Sequence, residues 1–135
     1  MNKVEHIGIA VQDLEKANLI YTQILGTEPY KSEQVTSEKV ITSFFQCGES
    51  KIELLAATDE TSVIAAFIQK RGEGLHHIAF SVDDIEAEMS RLKQAGFTLL
   101  SETPKPGADN KLICFVHPKD ASGVLIELCQ EKTSF

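Results

Sequence analysis

Short apolar runs rich in branched residues alternate along the chain with segments whose apolar positions recur every three to four residues. HIGIAV at 6–11 and HIAFSV at 77–82 are of the first kind and predict strands. Asp13 and Asp84 follow them, each placed to cap a helix. The helical stretch after Asp13 includes ANLIYTQILG. After Asp84, Ile85, Met89 and Leu92 fall at helical spacing, and Gly96 stands where a helix-ending glycine belongs. KVITSFFQCG and KIELLAA run as strands around the turn CGES. TSVIAAFIQKRG predicts a second helical segment, with Val63, Ala66, Phe67 and Lys70 on one 3.6-residue period. LICFVHPKDASGVLIELC reads as two strands joined by a turn containing HPKDASG.

Laid against itself, the chain is a repeat. VEHIGIAVQDLEK at 4–16 aligns with LHHIAFSVDDIEA at 75–87, with five identities at a constant offset of 71. These are His6/His77, Ile7/Ile78, Val11/Val82, Asp13/Asp84 and Glu15/Glu86. Each copy runs through a helix and closes on Ile-Glu-Leu. Glu53 and Glu127 correspond at an offset of 74, so the second copy carries about three extra residues in a loop. Two copies are too few for a solenoid. They predict an α+β fold of two tandem βαβββ modules, about 4–70 and 75–130, related by a pseudo-twofold axis. No Pro/Gly/Ser-rich linker separates them, and RGEGLHH reads as a short turn. The expectation is a single domain over 1–135.

Composition changes this picture little. Of 135 residues, 42% are hydrophobic and 24% charged, the balance of a soluble globular chain. No apolar run approaches the roughly 20 residues of a membrane span, and the N-terminal segment lacks the pattern of a secretory signal. Thirteen basic against twenty acidic residues give −7, which disfavours nucleic acid as a partner. A phosphate-bearing small molecule remains compatible, because local placement outweighs the total. Cys47, Cys114 and Cys129 are odd in number and show no CxxC spacing. They predict small buried side chains in a reducing, cytoplasmic setting.

His6, Glu53, His77 and Glu127 are the candidate chemistry. Each interrupts an otherwise apolar strand, and a carboxylate on a buried strand face is costly unless paired or bound to a cation. A lone glutamate between apolar neighbours can equally face water, and a lone strand histidine is commonly structural. Duplication in register shifts the balance toward a divalent-metal site with two imidazoles and two carboxylates. His76 should point opposite to His77, and its counterpart in the first copy is Glu5 rather than histidine. It reads as structural or as a support for a ligand residue. His117 has no partner in the first copy and is open between ligand contact and a plain loop.

The duplicated pattern with H…E…H…E resembles the vicinal oxygen chelate superfamily, the fold of glyoxalase I and its relatives. Within it, HIGIAVQDLEKA, GEGLHHIAF and HPKDASGVLIEL resemble the methylmalonyl-CoA epimerases, from about Val4 to Gln130. The resemblance implies a glyoxalase-like fold around a shared metal cleft and places His6, Glu53, His77 and Glu127 on the metal-ligand positions. Some epimerases carry glutamine at the position of Glu53. Several bacterial epimerases carry an acid/base glutamate where this chain has Thr42, with Glu38 nearby. The implied ion is one divalent metal (cobalt, manganese, nickel or zinc). The implied reaction interconverts the 2R and 2S epimers of methylmalonyl-CoA through α-proton abstraction. The matching placement of Glu53 and Glu127 in the two modules, with Thr42 where the acid/base glutamate is expected, makes these two the candidate proton carriers.

An acyl-CoA substrate brings phosphates that Lys105, Lys111 and Lys119 could meet, with His117 as a further contact. KPGADNK has the composition of a mobile loop over the cleft. By family analogy the protein is a homodimer. Competing readings are a glyoxalase I-type lactoylglutathione lyase, a non-catalytic small-molecule-binding protein of the same fold, and a non-haem iron oxygenase. The first would show a DPDG-type turn where this chain has HPKDASG. The second usually lacks the full ligand set, and a second ligand glutamate disfavours the third.

Overall fold

A computed structural model describes residues 1–132, so the last three positions of the expected 1–135 domain lie outside the described residues. The chain divides into two compact units. The first is His6–His76; the second is Met1–Glu5 together with the chain from His77 onward. Among the described residues, no helix is long and apolar enough to cross a membrane.

The first unit contains most of strand β1 (Lys3–Ala10), helix α1 (Leu14–Leu25), and strands β2 (Lys31–Val35), β3 (Val40–Cys47) and β4 (Ser50–Ala57). Helix α2 (Val63–Arg71) follows. The strands are ordered β2-β3-β4-β1, antiparallel except for the parallel pair β1/β4. The second unit repeats the plan with β5 (Gly74–Ser81), α3 (Ile85–Gln94), β6 (Lys105–Gly107), β7 (Lys111–Val116) and β8 (Ile126–Glu131). Its order is β5-β8-β7-β6, with β5/β8 the parallel pair. Each unit therefore has the predicted βαβββ order, in a glyoxalase-like α+β fold.

Alternation along the strands sorts the side chains. In the first unit, Val11, Phe45, Leu54 and Ala56 pack with Ala17, Tyr21 and Leu25 of α1. In the second, Cys114, Val116 and Leu128 pack with Ile85, Met89 and Leu92 of α3. The opposite face of each set of strands is left for the polar residues that the repeat singled out.

Both helices start at the predicted aspartates. Asp13 accepts from the Lys16 N–H at 3.1 Å, and Asp84 from the Ala87 N–H at 3.1 Å. At the end of α3 the cap is Ala95, and Gly96 lies one residue beyond it with φ +94°. There the Phe97 N–H reaches the Leu92 carbonyl at 3.0 Å and the Gly96 N–H reaches that of Lys93 at 3.1 Å. Glycine is suited to this closure because the backbone turns left-handed.

Three expectations need correction. The buried stripe of α2 is Ile64, Phe67 and Ile68, whereas Val63 is 63% exposed and Ala66 and Lys70 are also exposed. Ser62 caps the helix by accepting from the Ile64 N–H, and packing of Ile64 against Ala10, Val40 and Leu55 shifts the buried stripe from the period read in the sequence. Cys114 and Cys129 are buried, but Cys47 ends β3 and is exposed. KPGADNK is the β6–β7 hairpin rather than a loop: Gly107 pairs with Lys111, and Asp109 and Asn110 take φ of 58° and 57° at its turn.

Replacing Asp84 with alanine should lower stability by about 1 kcal/mol through loss of the cap. Urea unfolding of the variant checks this, with an unchanged midpoint as the contrary result.

Candidate active site

Strand pairing brings a histidine to a glutamate in each unit. In the first, β1 carries His6 and runs parallel to β4, which carries Glu53. His6 Nδ1 lies 3.0 Å from Glu53 Oε2. In the second, β5 carries His77 beside Glu127 of β8, and His77 Nε2 lies 3.2 Å from Glu127 Oε1. All four are buried, with exposures of 4% for His6, 4% for Glu53, 6% for His77 and 5% for Glu127.

The surroundings repeat as well. Glu53 stands opposite Phe44 on its antiparallel neighbour and opposite Gly8 on its parallel one. Glu127 stands opposite Phe115 and Ala79 in the same way. The His77 ring meets Phe115 edge-on, with centroids 5.9 Å apart and planes at 89°. These phenylalanines and small residues were not singled out by the sequence reading. Their signal lay in the repeat, once strand register assigns them to the glutamates.

A buried carboxylate is costly without a compensating partner, and each imidazole supplies one. The donor chemistry also fits a divalent first-row metal, which takes imidazole nitrogen and carboxylate oxygen together. Ligand atoms bound at about 2.1 Å and right angles stand about 3 Å apart. The His–Glu separation in each unit has that spacing.

The other candidates are placed differently. His76 packs edge-on against Phe67, with centroids 4.9 Å apart, and burial pushes its pKa down to about 4, so it is neutral near pH 7. This agrees with a structural role. His117 Nδ1 accepts from the Lys119 N–H at 3.0 Å and so caps the short turn Pro118–Asp120. Asp120 accepts from the Thr98 N–H at 2.7 Å, and these hydrogen bonds hold its carboxyl below its ordinary pKa.

Lys105 and Lys111 share one face of the β6–β7 hairpin, and buried Lys111 lies 3.6 Å from Glu131. Lys119 follows the far end of β7, about 17 Å of extended strand from Lys111. The three lysines therefore do not form the single cluster expected of them. Thr42 is 1% exposed on β3; Glu38 sits in the one-turn helix Thr36–Glu38 ahead of that strand.

Residues 5–115 match the glyoxalase/bleomycin resistance protein/dioxygenase superfamily, and the chain belongs to that family. The ethylmalonyl-CoA/methylmalonyl-CoA epimerase of Cereibacter sphaeroides is 42% identical over 96% of this chain and 98% of its own. The mitochondrial methylmalonyl-CoA epimerase of Homo sapiens is 41% identical over 96% of this chain and 74% of its own. A variant of the Streptomyces coelicolor methylmalonyl-CoA epimerase, solved with 2-nitronate-propionyl-CoA, superposes with a TM-score of 0.92 at 32% identity. That match covers 98% of this chain and 99% of the other. This degree of likeness over nearly the whole chain makes the protein an isomerase of the epimerase type.

In protein stripped of metal at pH 7, His77→Ala should cost about 3 kcal/mol, because the Glu127 charge loses its imidazole. Glu127→Gln, which keeps a neutral acceptor against the ring, should cost less than half as much. Urea titration of both variants provides the comparison. Equal losses would mean that the imidazole does not compensate the charge.

Proposed function

We propose that the protein interconverts the 2R and 2S epimers of methylmalonyl-CoA in a metal-dependent reaction, with His6, Glu53, His77 and Glu127 holding one divalent ion. The observation that carries this reading is the recurrence of a buried His–Glu pair at the same strand register in both units. The family's chemistry and the likeness to named epimerases support the substrate. In this reading residues 1–135 act as one catalytic domain. Cobalt, manganese, nickel and zinc all suit the donor set.

The ion when bound would act as a Lewis acid for the negative charge that develops on the substrate. The protein's own residues do the rest. The carbon between the carboxylate and the thioester carries a weakly acidic proton. A carboxylate accepts that proton as the C–H bond breaks, and the electron pair spreads onto the thioester oxygen as an enolate. Return of a proton to the opposite face completes inversion, which requires groups on two sides or one that reaches both. Glu53 and Glu127 are the carriers in this proposal. Thr42 stands where several related epimerases have glutamate, and a hydroxyl is no base near neutral pH. The burial of the two glutamates among apolar side chains strengthens electrostatic effects on the reacting atoms.

Lys105 and Lys111 on the hairpin are the proposed contacts for coenzyme A phosphates, with His117 and Lys119 as contacts at the other end of β7. A cytoplasmic setting is supported by three free thiols. A homodimer is supported by the exposed apolar residues Leu19, Ile20 and Ile24 on α1.

Proton NMR of methylmalonyl-CoA in deuterium oxide tests the proposal. The metal-loaded protein should exchange the α-proton, and chelation should slow exchange by about a hundredfold or more, corresponding to several kcal/mol of charge stabilisation. Glu53→Gln and Glu127→Gln should each slow it by about a hundredfold or more. Undiminished exchange after chelation would remove the metal from the mechanism. Undiminished exchange in both metal-loaded variants would remove the glutamates as proton carriers.

A further inference from the structure

Thr42 presents a buried polar atom that the fold does not use. Its Oγ1 has no hydrogen-bond partner among the described residues. In the β3/β4 register, Thr42 faces Leu55 and Phe44 faces Glu53. Side chains two apart on a strand share a face, so Thr42 and Glu53 are diagonal neighbours on one surface, about 7 Å apart.

The second unit shows that packing does not require a hydroxyl there. The corresponding position is Ile113, two residues before Phe115 and opposite Cys129, and it is 8% exposed. A β-branched apolar side chain serves in one unit. In the other, a β-branched side chain of similar shape carries a desolvated donor, and an unmade buried hydrogen bond weakens the free protein. Ser43, the next residue, is equally buried and its Oγ also lacks a partner among the described residues. It faces Leu54, on the side packed by α1, away from Glu53.

We propose that Thr42 is a substrate-contact residue whose Oγ1–H donates a hydrogen bond to an anionic oxygen of the acyl group bound beside Glu53. The inference rests on the epimerase reading and deepens it. A hydroxyl at this position can donate to an anionic oxygen, which an ionised carboxylate cannot do. The hydroxyl holds the acyl group and leaves the proton to other residues.

The test compares metal-loaded wild type with Thr42→Val, Thr42→Ser and Ser43→Ala. Each is melted without ligand, then titrated calorimetrically with equilibrated methylmalonyl-CoA and with coenzyme A alone. Thr42→Val should melt at or above the wild-type temperature yet bind methylmalonyl-CoA about tenfold more weakly, with affinity for coenzyme A unchanged. Thr42→Ser should restore binding, and Ser43→Ala should leave it untouched. Wild-type binding that persists within twofold in Thr42→Val overturns the role of Thr42 alone, as does an equal loss for coenzyme A. Wild type that does not bind methylmalonyl-CoA at all overturns the epimerase reading, and Thr42 falls with it.

Discussion

A carboxylate inside a protein must find a partner for its charge, and here two do so on strands that would otherwise be uniformly apolar. Glu53 and Glu127 each lie within 3.2 Å of an imidazole on the adjacent parallel strand. The parallel pairing β1/β4, and β5/β8 in the other unit, sets these contacts. Parallel neighbours need a crossover, and α1 and α3 begin those crossovers while covering the opposite, apolar faces. Helix position, strand order and the burial of the polar pair are thus linked in each unit. Small residues at Gly8 and Ala79 and aromatic ones at Phe44 and Phe115 then shape the space around each carboxylate.

Much of this could be read from the chain because duplication doubles every weak signal. Asp13 and Asp84 identified each other as caps, and His6, Glu53, His77 and Glu127 stood out by corresponding in register. The family resemblance, quoted on GEGLHHIAF and HPKDASGVLIEL, agrees with the family match and the epimerase relatives. Features belonging to only one copy were harder to read. Helix α2 is short, and its apolar residues fit two neighbouring phases, so the buried one was set by packing of Ile64 against Ala10, Val40 and Leu55. Cys47 shares the apolar company of Phe44 and Phe45, but lies at the strand's exposed end, where composition carries no information about depth. The lysines showed a related gap, since nearness in sequence placed Lys111 and Lys119 together and an extended strand separates them.

Where the copies differ, the difference is informative. Thr42 and Ile113 hold the same position in the strand registers of the two units, and Gly8 and Ala79 do so beside the glutamates. The shared residues are those the fold and the paired charges need. The divergent ones distinguish the halves, as the polar Thr42 differs from the apolar Ile113.

The path of β1 has a further consequence. The Asn2 N–H donates to the Ser81 carbonyl at 2.8 Å and its side-chain amide to Asp83 at 2.8 Å, so Met1–Glu5 belongs to the unit that His77 begins. The two ends of strand β1 therefore lie in different compact units, so fraying of Met1–Glu5 would loosen the later unit while leaving the pairing of His6–Ala10 with β4 in place.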